Sequence, residues 1–441
     1  MPHRAFRVGL LLSAALLGAV SANIWVVDQG GGGDFSMIQP AILAAATGDE
    51  IVVHPGTYVE NINFLSKDLN VHSSEGAATT TIDGSAGAPG MGSCVTLSSG
   101  LTSTAVLAGF TLTGGHGTLY REPLDDLPRD TMVGGAIYCL NGNPRITQCF
   151  FQANIADYAA GIFLDGADAE IAECIFEGNY AATYGGGIAG PNSAPNVHDC
   201  VFEDNHAASG DGTIHVQLPA VIERCVFRGN HARAGAGVNS PNYGANFRVR
   251  DCIFEGNSSD GNHGGAIRVH EATLVIDGCL FVGNHAAEDG GAILCIDGGA
   301  TQVRNCTFWG NGAARNGGTI AVWYGAAPIL TNNIIAAATQ AGGVFCSSGD
   351  PTFSCNDAWA NLGGDYVGCP DPTGSGGNIS QDPRLCDPEN GDFHLAADSP
   401  CASQNNPECG QIGLYPVACG PTPVAERSWG ALKSMFRLMP R

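Results

Sequence analysis

The sequence is poor in positive charge. Its only lysines are Lys67 and Lys433, and 19 Lys and Arg face 42 Asp and Glu, for a net charge of −23. Nucleic acid is excluded as a partner, because holding phosphates takes clustered cations. Charged residues of either sign make up only 14%, while 44% are hydrophobic, which excludes a disordered chain. Beyond the N-terminus no apolar run is long enough to span a bilayer. No Cys-x-x-Cys pair occurs, which argues against a metal ribbon. Glycine is abundant, at 63 of 441 residues, but it has no three-residue period, so collagen is excluded too.

Cysteine is plentiful: 17 residues point to an oxidising compartment. The first residues agree. His3, Arg4 and Arg7 precede an apolar run from Val8 to Val20, and Val20-Ser21-Ala22 offers small residues for cleavage. This reads as a secretory signal peptide over 1–22, cut near Ala22–Asn23, and the expected location is extracellular or on the cell surface.

Internal repetition governs the rest. Cys149-Phe150-Phe151-Gln152-Ala153-Asn154 recurs as Cys174/Phe176/Asn179, Cys200/Phe202/Asn205, Cys225/Phe227/Asn230, Cys252/Phe254/Asn257, Cys279/Phe281/Asn284 and Cys306/Phe308/Asn311. The cysteines step by 25, 26, 25, 27, 27 and 27, and Cys-to-Asn is five each time. A second element interleaves: Gly134-Gly135-Ala136-Ile137 returns at Gly186, Gly264, Gly290 and Gly317. Each repeat holds three strand-length runs split by Gly, Asn, Asp and Pro, with no room for a helix.

Three short strands per repeat make one coil of a solenoid, with equivalent residues stacked about 4.8 Å apart. In the Gly-Gly-x-Ile strand the Ile faces inward, and so does the residue two later: Cys139, Leu164, Val216, Val269, Cys295, Val322 and Cys346. Stacked Asn side chains bond along the column and tolerate a left-handed corner. The repeat cysteines sit too far apart for disulfides, which need Cβ atoms about 3.8 Å apart, so free stacked thiols are expected.

These repeats resemble the right-handed parallel β-helices of the pectate-lyase-like superfamily, and Gly-Gly-Ala-Ile with Phe-x-x-Asn resembles the repeats of polymorphic outer-membrane proteins. The opening fits as well, with an amphipathic capping helix over Phe35–Ile42 followed by Gly48–Val53 and Pro55–Asn61. The expected fold is all-β, a single-stranded parallel β-helix of 11–12 coils with an N-terminal capping helix and a disulfide-rich C-terminal cap. The expected divisions are a cap over 23–50, the helix over 51–346, Cys-rich final coils over 347–420 and a tail over 421–441. In the final coils Cys355, Cys369, Cys386, Cys401, Cys409 and Cys419 form disulfides whose connectivity stays open. The tail sets Trp429, Leu432, Phe436 and Met439 against Arg427, Lys433, Arg437 and Arg441. That is a basic amphipathic pattern suited to the envelope or sorting machinery.

Candidate chemistry lies on the outward side of the Gly-Gly-x-Ile strands. One column reads Tyr138, Phe163, Ala189, His215, Asn239, Arg268, Leu294, Ala321; the next reads Leu140, Asp165, Pro191, Gln217, Pro241, His270, Ile296, Trp323. His215, Gln217, Asn239, Arg268 and His270 form a candidate ligand-binding cluster, flanked by aromatic residues suited to a sugar chain. The long excursion from Gly114 to Val133, with His116, Tyr120, Asp125, Asp126 and Arg129, is a second place for function. His206 and His231 are weak metal candidates. The resemblance also brings enzyme readings, and these lack their signatures. Gly115-His116-Gly117 stands without an Arg-x-Lys, and Gly56-x-Tyr58-x-Glu60 lacks its paired Asp context. A Ca²⁺-dependent lyase would use Arg268 as its catalytic group, with Ca²⁺ the cofactor to consider, but no acidic trio accompanies it. The reading taken from sequence is an adhesin-like secreted scaffold binding glycans or another cell surface. Its alternative is a polysaccharide-degrading uronate lyase or glycoside hydrolase.

Overall fold

The computed structural model describes residues 22–88, 91–122, 130–240 and 246–419. The leader and the basic tail, with Pro241, Asp125, Asp126 and Arg129, lie outside the described residues. Three long parallel sheets wind around one axis. The first has 13 strands from Ile24–Val27 to Thr352–Ser354, and the second has 12, from Gly56–Val59 to Asp357–Trp359. The third also has 12, from Ile62–Asn63 to Tyr366–Val367. The solenoid exceeds the 11–12 coils expected because Ile24–Val27, assigned to the cap, pairs with Glu50–Val53 as a rung. The sequence also hid a fourth sheet, of seven short strands from Ile155–Ala156 to Gly312–Ala313. It forms because the residues following each ladder Asn pair with their copies one coil away.

Register makes the core. Phe151, Phe176, Phe202, Phe227, Phe254, Phe281 and Phe308 stack with ring centroids 4.3–4.9 Å apart and planes within 11°. Each such buried ring contributes about 2–3 kcal/mol. The Cys side chains point inward beside them, fully buried and unpaired, each S–H donating to the carbonyl two residues earlier (Cys200 to His198, 3.2 Å). The residue after each Cys faces outward and joins a separate apolar stripe, from Phe150 to Leu280.

The Asn column is a continuous hydrogen-bond ladder. Asn230 Nδ2 donates to Phe202 O at 2.9 Å and to Asn257 Oδ1 at 3.0 Å, while its own Oδ1 accepts the backbone and amide N–H of Asn205. The left-handed backbone, expected on the Asn, belongs to the residue before it: Ala153 (φ 53°), Gly178 (63°), Asp204 (53°). The Asn itself does not take the left-handed backbone. In the Gly-Gly pairs the two glycines differ. The first has positive φ at Gly134, Gly264, Gly290 and Gly317, a role that falls to Gly185 in the copy placed at Gly186, and a Cβ on the second would meet a carbonyl of the next coil, 2.0 Å away at Gly265. After Cys306 the inward Cys column continues as Asn333, Asn356 and Asn378, bonded in the same manner.

At the N-terminal end, helix α1 (Ile38–Ala44) covers the first coil. The Glu60 carboxylate accepts its first two free N–H groups, from Ile38 (2.8 Å) and Gln39 (2.9 Å), so the Gly56-x-Tyr58-x-Glu60 element serves the cap. At the other end three disulfides join Cys346–Cys369, Cys355–Cys409 and Cys386–Cys419. Cys346, read as an inward core residue, takes the place expected of Cys401. Cys401 instead donates its S–H to Asp357 Oδ2 at 3.0 Å inside the cap. Across the first sheet's outer face, charges alternate by coil, with Glu223–Arg250 at 3.8 Å and Asp277–Arg304 at 3.0 Å. His198 pairs with Glu170 and Asp199 rather than with Glu223. Exposed pairs of this kind contribute under about 1 kcal/mol each.

Two outcomes are expected. Asn230→Ala strands the Asn205 N–H and the Phe202 carbonyl, and should cost about 2–4 kcal/mol by chemical denaturation, against about 1 kcal/mol for Cys225→Ala. Asp357 is wholly buried, and that burial pushes its carboxyl up from 3.8 to about 7. The folded chain therefore holds this proton more tightly than the unfolded chain. Its stabilising share is full below about pH 4 and disappears as pH rises to about 7. Asp357→Asn should flatten thermal midpoints across that window; an unchanged slope would refute the assignment.

A candidate ligand cleft on the third sheet

The strands that set the site lie side by side on the third sheet. The register Ala189–His215–Asn239–Arg268–Leu294–Ala321 places the three polar residues on successive coils, between apolar ones. His215 and Asn239 are 2% and 0% exposed, so they lie beneath the surface and form the floor's support. Asn239 Nδ2 donates to His215 Nδ1 at 3.1 Å and to Asp211 Oδ2 at 3.2 Å. Arg268 donates to the same Asp211 oxygen at 3.1 Å. Sequence reasoning passed over Asp211, because it closes the fourth-sheet strand His206–Asp211, which the spacing does not show. Its signal was the carboxylate two residues before Thr213-Ile214.

Above this chain opens a cleft of about 300 Å³, lined among others by Tyr184, Asp211, Arg233, Arg268, His270 and Asp297. Its side wall comes from the fourth sheet, whose strands lengthen here to His206–Asp211, His231–Ala234 and Ser258–His263. His270 Nε2 lies 3.0 Å from Asp297 Oδ2, so a carboxylate orients the imidazole. Arg268 Nε and Asn239 Oδ1 are buried and have no hydrogen-bond partner among the described residues. Gln217 is half-buried and does not line this cleft.

The long excursion folds back as a flap. Gly117–Tyr120 and Thr131–Val133 pair antiparallel, and Tyr120 lays its ring 5.1 Å from Phe163 while donating to Asp165 Oδ2 at 2.7 Å. It therefore roofs the N-terminal stretch of the same outer face, and Phe163, expected at the surface, is buried beneath it. His116 is exposed on its edge. His206 and His231 are neighbours, with rings 4.8 Å apart. Burial and the His231 beside it hold His206 below the usual imidazole range. His231 itself lies 3.2 Å from Asp260, and among the described residues no three His, Cys, Asp or Glu converge as a metal site. Beside Arg268, Asp211 pairs with Arg268 itself and Asp297 with His270.

A family model described as "Right handed beta helix region" matches residues 135–308, the stretch that carries the ladders and the cleft. The chain folds as a right-handed parallel β-helix. Three solved structures are similar to the chain. One is a mutant of a PL6 family alginate lyase, at 13% identity and TM-score 0.43, covering 92% of this chain and 58% of that one. The present chain thus spans less than two thirds of the lyase's length. Another is pectin methylesterase from carrot, at 14% identity and TM-score 0.31, covering 76% of this chain and 90% of that one. The third is the catalytic unit of a GH87 α-1,3-glucanase from Streptomyces thermodiastaticus, at 15% identity and TM-score 0.36, covering 78% and 66%. These likenesses concern the fold. No curated protein matches the chain.

Removing the shared carboxylate tests the build of this β-helix's cleft. Asp211→Ala leaves Arg268 and the Asn239 amide without their acceptor, and should cost about 2–3 kcal/mol of stability. Asp211→Asn, which keeps an acceptor oxygen, should cost less. Equal losses in urea titrations would show that the charge pair, and not the hydrogen bonding, sets the stability.

Proposed function

We propose that this β-helix is an exported protein that binds a uronate-bearing polysaccharide in the Arg268 cleft and cleaves it by β-elimination. The observation that carries the reading is the juxtaposition of Arg268 and His270, two residues apart on one face of the strand Ile267–His270. Residues so placed lie roughly 7 Å apart, within the span of one sugar unit. A guanidinium held by Asp211 is a cation and not a base, so Arg268 meets the sugar carboxylate. His270, oriented by Asp297, takes the proton from the carbon next to that carboxylate. The C–H electron pair becomes the new C=C bond, the glycosidic C–O bond breaks, and the leaving oxygen takes up a proton. The three disulfides of the cap support an oxidising, extracellular setting.

A second reading has one observation in its favour. Arg268 and His270 are each already paired with a carboxylate, which suits a surface that holds glycan without turning it over, as an adhesin-like scaffold does. Alginate and polygalacturonate separate the two. With turnover, ultraviolet absorbance from unsaturated chain ends grows, and Arg268→Ala and His270→Ala each lower the rate about a hundredfold or more while the circular dichroism is unchanged. Retardation in polysaccharide-containing gels with no absorbance change would leave binding alone. Absence of both would remove the polysaccharide reading.

A further inference from the structure

The cleft does not end at His270. Along the third sheet His270 is in register with Ile296, and Ile296 with Trp323, so the outer column runs on from the cleft floor for two more coils. Ile296, itself part of the cleft lining, is 8% exposed and packs with Leu294 and Ala321 against a partly exposed Trp323. The Trp323 ring has Tyr324 and Phe345 as neighbours, each with centroids 5.5 Å away and planes tilted by about 45°. Tyr324 is 60% exposed, and Phe345 is partly so. The core needs none of these rings, because the inward neighbour on this strand is Val322, wholly buried. An aromatic cluster left at the surface in continuity with a polar cleft marks a ligand-binding face.

The opposite direction differs. Four coils toward the N-terminus the same outer column reaches Asp165, which the flap residue Tyr120 covers by its 2.7 Å hydrogen bond. Access is therefore one-sided: roofed toward the N-terminal end, open and aromatic toward the C-terminal end.

We infer that Trp323, buttressed by Tyr324 and Phe345, is a sugar-stacking subsite for the bound polysaccharide, lying two coils C-terminal of His270. That offset is roughly 9.6 Å, about the reach of two linked pyranose rings. The apolar face of a sugar ring lies on the indole, and its hydroxyl groups stay in water. The subsite rests on the polysaccharide reading above and adds a direction to it: the chain extends from the Arg268 cleft toward the C-terminal end of the solenoid. Trp323 touches substrate away from the reacting atoms, so it governs affinity for long chains and not the chemical step.

The test uses the full chain with alginate-derived disaccharide, tetrasaccharide and hexasaccharide, following tryptophan fluorescence on titration together with KM and kcat. Trp323→Ala should weaken hexasaccharide binding about tenfold, leave the disaccharide unchanged and raise KM with little change in kcat. Trp323→Phe, which keeps a flat ring, should recover most of the loss. Tyr180→Ala, at an exposed aromatic on the fourth sheet, should change nothing. Equal affinity of wild type and Trp323→Ala for all three lengths would overturn the subsite, as would equal loss for the disaccharide. If the wild type neither binds nor cleaves any of the three, the polysaccharide reading itself falls and takes the subsite with it.

Discussion

Rung-to-rung register is the constraint on which everything else here depends. Parallel strands about 4.8 Å apart bring each residue against its own copy one coil away. An Asn amide can then be buried at no net loss, because both its donor and its acceptor find the next amide in the column. From Asn179 to Asn284 each member is satisfied in this way, while Gly115 N–H and the Phe281 carbonyl close the ends at Asn154 and Asn311, all of them at 0% exposure. A single such Asn in an ordinary core would leave polar atoms stranded, at about 1–3 kcal/mol apiece. Repetition turns a liability into a spine, and the Phe rings beside it supply the apolar burial that holds the coils closed.

The same logic explains how much was legible. A pattern that must recur to work is visible in one sequence, so the sheets, the inward columns and the register of His215, Asn239 and Arg268 follow from spacing alone. Features that occur once were hidden. The fourth sheet consists mostly of two-residue strands, too short to show a period. Asp211 ends a strand of the hidden fourth sheet and Asp297 sits in a turn, where no column announces them. The pairing of Cys346 depends on where the last full coil ends, which composition does not reveal. The change of the Cys column to Asn333, Asn356 and Asn378 was available to a reader who kept counting by one repeat past Cys306. It was missed because the residue type changed while the role in the wall did not.

The cleft departs from this economy. His215, Asn239 and Asp211 are unlike their neighbours one coil away, so no ladder can satisfy them, and they bond instead to one another and to Arg268. A chain that elsewhere buries polar atoms only as copies has here assembled an irregular polar group. It has also raised two lengthened strands of the fourth sheet, His206–Asp211 and His231–Ala234, as a wall beside it. Irregularity in a repeating structure is where selection for something other than folding leaves its mark.

The stacked thiols carry a consequence for biogenesis. Seven cysteines line one inner wall from Cys149 to Cys306, while the six that pair all lie between Cys346 and Cys419. Export, as proposed above, would bring the chain to oxidant before it is fully folded, and any wall thiol still exposed then would compete for the cap's partners. Correct assembly therefore favours winding from the N-terminal end, with each new coil sealing the sulfur of the one before. The clasp then closes last, after the wall sulfurs are sealed.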